Sequence, residues 1–120
     1  MSGQDVDDPI TVRPRWVPLV VTWEPDGTVL SASDSYAAQL GLPMDQVVGR
    51  QWPELVSGEE EMCRRQLLLT VGALAATDLL VVDMPTRVGG RTEWFRWNET
   101  AVRDAEGRLV RICSTGIEIT

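Results

Sequence analysis

Strand-like runs lie towards both ends of the chain, and helical spacing fills the middle. Val17–Trp23 carries Val17, Leu19, Val20 and Val21 in a β-rich run, and Thr28–Ala32 forms a second short strand. Between them Glu24-Pro25-Asp26-Gly27 is a turn signal, since proline presets φ and glycine accepts φ > 0. Tyr36, Ala37 and Leu40 share one face by i, i+3, i+4 spacing, with Ser33 or Asp34 available as the cap. Gly41 stands where a helix ends, and Pro43 follows it. Two short helical turns are predicted, over Met44–Val48 and Gln51–Leu55.

A longer helix is predicted near 59–75. Ser57-Gly58-Glu59-Glu60 reads as a capping box, with Ser57 as cap and Glu60 reaching back. Cys63, Leu67, Val71 and Leu74 form its apolar stripe, weakened at Gly72. Three strands follow, near 79–87, 92–102 and 109–119. Val88-Gly89-Gly90-Arg91 turns the first into the second, and Asp104 and Gly107 sit in the turn between the last two. The order predicts an α+β fold: a five-stranded antiparallel sheet with helices packed on one face. Residues 1–16 read as a flexible leader ahead of one domain spanning 17–120.

Composition narrows the function more than it narrows the fold. The net charge of −7 argues against nucleic acid, because phosphate binding needs a basic patch. Histidine is absent, which excludes His-based triads, His-ligated haem and the commonest zinc sites. No apolar run approaches the ~20 residues of a membrane span, and the first residues lack the basic and apolar regions of a signal peptide. Cys63 and Cys113 read as ordinary helix and strand residues in a reduced, cytoplasmic setting. No nucleophile–base pair, metal cluster or phosphate loop appears, so the chain is read as non-catalytic.

Several short motifs, in this order, carry a family resemblance. Asp26-Gly27-Thr28-Val29-Leu30, then Tyr36–Leu40 with Gly41, then Gln46-Val47-Val48-Gly49-Arg50 resemble the opening of a PAS sensor domain. Trp94–Val102, Arg103-Asp104-Ala105-Glu106-Gly107 and Gly116-Ile117-Glu118-Ile119-Thr120 resemble its last two strands and terminal D-I-T motif, with Glu118 in place of Asp. The resemblance spans Val17 to Thr120. It implies a signalling module with an internal pocket, serving an effector such as a histidine kinase or a cyclic-dinucleotide enzyme. Subtype residues point away from LOV photochemistry: Trp52 stands where LOV domains carry the FMN-adduct cysteine. Phe95 matches their flavin-binding Asn, and Gly116 their switching Gln. Flavin held in some other way, or another small molecule, stays open as the ligand.

In the register that the resemblance implies, Phe95, Trp97, Glu99 and Ala101 face the helices, as do Val110, Ile112, Ser114 and Gly116. The small Ser114 and Gly116 leave space beside Trp97. The candidate pocket is therefore Trp52, Met62, Leu67, Val71, Phe95, Trp97, Glu99 and Ser114, an apolar lining with few polar groups. The competing expectation is a solid core filled by Trp97, in a domain that acts only through its surface. Trp94 and Val102 on the outer face, with Trp16 of the leader, form the candidate interface of a homodimer.

Overall fold

The computed structural model describes residues 17–120 apart from 57, 89 and 90. The expected leader and Trp16, the capping Ser57 and the turn glycines Gly89 and Gly90 lie outside the described residues. The elements are β1 (Leu19–Trp23), β2 (Val29–Ala32), α1 (Asp34–Leu40), a 3-10 turn at Met44–Gln46, α2 (Trp52–Leu55), α3 (Glu60–Leu74), β3 (Leu79–Val88), β4 (Arg91–Arg103) and β5 (Leu109–Glu118). The five strands pair antiparallel in the order β2-β1-β5-β4-β3, and the helices cover one face. The predicted α+β sheet is thus present, with each boundary within two residues of its expected place.

Local chemistry explains where the elements stop. Ser33 caps α1 by accepting from the Tyr36 N–H at 3.2 Å, and Gly41 closes it in the left-handed region at φ 71°. The Asp26 carboxylate accepts from the Thr28 N–H at 2.9 Å, which holds the β1–β2 turn. Asp104 does the same in the β4–β5 turn, accepting from the N–H groups of Glu106 and Arg108. At α3 the expected capping residue, Ser57, lies outside the described residues. The helix begins at Glu60, so Glu59 occupies the cap position, and its side chain makes no capping bond. The acids of the first turn still favour the helix N-terminus electrostatically.

Gly27 is a point where the sequence has no latitude. Its φ is +99°, and an added Cβ would stand 2.6 Å from Cδ1 of the buried Leu67 on α3. The turn therefore lets α3 close onto the sheet. Gly27→Ala combines backbone strain with overpacking and is expected to destabilise the fold by about 2 kcal/mol or more, read from a urea midpoint shift.

The core is built from Leu19, Val21 and Trp23 of β1, Val29, Tyr36, Val47, Leu67, Leu74, Phe95 and Ile112. Expected inward positions hold along β4 and along most of β5. Val110 is the exception, at 38% exposure. The register shifts between Val102 and Arg103, so that Arg103 pairs with Leu109 and Val110 is left over. A bulge of this kind flips the alternation on its far side. Leu109 consequently packs against the core in place of Val110.

Candidate functional site

A cavity of about 60 Å³ lies between the inner sheet face and the helices. Its floor is Leu19, Val21 and Trp23 of β1, Trp97 and Glu99 of β4, and Ser114 of β5. Tyr36, Gln39 and Leu40 of α1, Trp52 of α2 and Cys63, Gln66 and Thr70 of α3 close over it, and Val82 and Met84 of β3 form a side wall. Trp52 is fixed by backbone pairing: the loop before α2 runs beside β2, with the Trp52 N–H donating to the Gly27 carbonyl at 3.0 Å. Trp23 and Trp52 meet edge-to-face at 5.7 Å, and Tyr36 and Trp97 at 6.3 Å. Two edge-to-face aromatic pairs thus bound the space.

The polar chemistry sits at the β4–β5 rung. Glu99 and Ser114 are cross-strand partners, and both are buried. The indole N–H of Trp23 donates to Ser114 Oγ at 2.7 Å, and the Ser114 hydroxyl donates to Glu99 Oε1. The serine hydroxyl has one proton and two lone pairs: it takes the indole N–H on one of them and gives its proton to the Glu99 carboxylate when that group is ionised. Burial pushes the Glu99 carboxyl up to about 7, and the serine hydrogen bond offsets only part of this. Burial also raises the Tyr36 hydroxyl above its ordinary range and the Cys63 thiol to about 11. That thiol stays protonated and unreactive at neutral pH. Trp52 Nε1 is buried without a hydrogen-bond partner among the described residues.

The expected site residues divide. Trp52, Trp97, Glu99 and Ser114 come together on the cavity. Phe95 lies fully buried in the solid core, with Leu67 and Val71 packed into that core as well. Met62 faces a shallow surface hollow beside Gly58, Glu59, Glu61 and Arg65. The cause is helix rotation: the cavity meets the Cys63–Gln66–Thr70 flank of α3, about one residue round from the predicted stripe. The space expected beside Gly116 is filled, because a Cβ there would stand 2.8 Å from the Trp97 ring. The contributions of β1, α1 and β3 were not foreseen; the alternation Leu19–Val21–Trp23 was the available signal.

The predicted surface patch also changes shape. Trp94 is 44% exposed and Val102 half-buried, and both point outward. They stand eight residues apart on one strand, roughly 26 Å at 3.3 Å per residue, and do not touch each other. The exposed apolar surface lies between them instead. Val20, Leu79, Val81 and Ile117 are 38–55% exposed, and Val20, Thr115, Asn98 and Val81 form one row across four strands.

Residues 16–120 match the PAS fold family, and the chain belongs to that family. No curated protein matches it. Among solved structures it is similar to the PAS domain of Bordetella pertussis BvgS, with a TM-score of 0.72 and 24% identity over 85% of this chain and 76% of that one. A sensory box sensor histidine kinase from Vibrio cholerae gives 0.69 at 8% identity, covering 88% of this chain and 84% of that one. VqmA of Vibrio cholerae gives 0.75 at 15% identity over 87% of this chain, which spans 47% of VqmA. No helix among the described residues is long and apolar enough to cross a membrane.

Proposed function

We propose that this chain is the sensory module of a cytoplasmic signal-transduction protein. Residues 17–120 form the sensor domain behind a leader at 1–16. The domain binds a small molecule in its internal cavity and passes the signal to an effector such as a histidine kinase or a cyclic-dinucleotide enzyme. It performs no chemistry itself. The observation that carries this reading is the cavity wall: a buried carboxyl held by a Trp23–Ser114–Glu99 chain beside two aromatic pairs. A solid core has no use for an acid there, since burying it without a cation is unfavourable. VqmA, a neighbour in fold, has been solved bound to DPO. At about 60 Å³ the cavity is well below the ~300 Å³ at which drug-sized pockets begin. Ligands of a few non-hydrogen atoms fit it as it stands, and a flavin ring system does not. Titration of a small-fragment library against ¹⁵N-labelled protein is expected to shift the amides of Glu99 and Ser114. Shifts confined to the outer sheet face, with Glu99 and Ser114 unmoved, would count against it.

A second reading is favoured by the outer face, where Val20, Val81 and Ile117 stand exposed. In it the domain works by pairing with a second copy of itself. Sedimentation at high micromolar concentration is then expected to show a homodimer that Val81→Glu converts to monomer. A wild-type monomer under those conditions removes this reading.

A further inference from the structure

The buried acids of the inner sheet face differ in one respect. Glu93 is buried on β4 and compensated: Arg91 pairs with it at 2.8 Å, and Gln39 Nε2 donates to it at 2.9 Å. Glu99, three rungs further on the same face of the same strand, has no such compensation. Its hydrogen bond comes from Ser114, a neutral group, and no arginine or lysine lines the cavity among the described residues. Elsewhere arginines pair with acids nearer the surface: Arg96 with Asp83 and Arg103 with Asp78, both exposed, and Arg108 with the partly exposed Asp104. Among the described residues the cavity lining thus holds one acid, no base and four aromatic side chains in edge-to-face pairs.

Aromatic rings attract cations through their negative faces, and a desolvated carboxylate attracts them far more strongly. Such a lining is complementary to a compact organic ammonium whose carbon substituents meet the rings and whose charge faces Glu99. Trp52, whose buried Nε1 has no partner among the described residues, is one of the lining side chains. The size agrees: about 60 Å³ is a few times the ~10–15 Å³ one water requires, enough for a handful of non-hydrogen atoms. Building on the small-molecule reading of the cavity, we propose that it selects small organic cations of the methylated-amine or amino-alcohol class. Glu99 is the counter-ion, and Trp23, Tyr36, Trp52 and Trp97 are the aromatic enclosure.

The test titrates the full chain at pH 8 and constant ionic strength. The probes are tetramethylammonium, choline, the uncharged choline isostere 3,3-dimethylbutan-1-ol, and phenol. Choline is expected to bind at least about tenfold more tightly than its isostere, and Glu99→Gln to abolish that preference while leaving isostere affinity within about threefold. Circular dichroism establishes that the variant is folded. If it is not, the wild-type comparison of choline with its isostere decides alone. Isostere binding equal to choline, or a preference retained in folded Glu99→Gln, overturns the cation proposal. Binding of phenol or the isostere without either ammonium also overturns it and leaves the small-molecule reading standing. No binding by any probe counts against both.

Discussion

Trp97→Ala is expected to lower the unfolding free energy by about 3 kcal/mol, whereas Trp94→Ala shifts it by no more than about 0.5 kcal/mol. The two tryptophans are three residues apart on β4 but face opposite sides of the sheet. Trp97 lies against Gly116, meets Tyr36 edge-to-face and Phe95 at a tilt, and forms one wall of the cavity. Its removal leaves a void that Gly116 cannot fill. Trp94 is 44% exposed and loses mainly surface contacts. Urea denaturation of both variants measures the difference. Similar losses for the two would contradict the inward facing of Trp97 and the outward facing of Trp94. Trp97→Ala also enlarges the cavity, so in the fraction that stays folded it should bind larger guests than the wild type.

The other large effect is on pH dependence. The Glu99 carboxyl lies at about 7 in the folded chain against an ordinary 4.5. The folded state therefore holds a proton that the unfolded state has already released between these values, and stability falls as pH rises through that window. The difference amounts to roughly 3 kcal/mol between pH 4.5 and pH 8. Glu99 is the group that titrates here: across the window Tyr36 on α1 and Cys63 on α3 stay protonated, both raised by burial. Asp26, Asp83 and Asp104 are held below the ordinary carboxylate range by their hydrogen bonds, so they destabilise the fold only at more acidic pH. Glu99→Gln is expected to flatten the decline, because the amide still accepts from Ser114 and never ionises. Urea midpoints at pH 5.0 and pH 7.5, for wild type and variant, check this. A variant whose midpoint falls as steeply as the wild type would place the titration elsewhere.

The fold was legible because its punctuation is local. Asp26-Gly27, Gly41 and Asp104–Gly107 mark turns by chemistry within a few residues, and strand alternation gives the facing of Trp94, Trp97 and Glu99 directly. The site was half legible for the same reason. Parity along β4 and β5 put Trp97, Glu99 and Ser114 on one side. It carried no information about how far α3 turns about its axis, so Leu67 and Val71 were expected where Gln66 and Thr70 stand. Nor does alternation survive a bulge, so the sequence pattern points Val110 inward where Leu109 packs. That no arginine or lysine lines the cavity beside Glu99 among the described residues is also not a sequence property, because it depends on where each cation ends up.

Strand order gives the domain a short mechanical path. Leu19 at the start of β1 pairs with Gly116 near the end of β5, and two residues further in Val21 pairs with Ser114. The start of β1 and the end of β5 therefore lie side by side at the Leu19–Gly116 rung, about 7 Å along the strands from the Val21–Ser114 rung at ~3.3 Å per residue. Ser114, Val21 and Trp23 are at once part of the cavity wall and part of the rungs that fix these two strands to each other. On the small-molecule reading proposed above, a guest that moves the serine by a fraction of an ångström would pull on the rungs that join β1 to β5. Such a lever needs no relay through the helices.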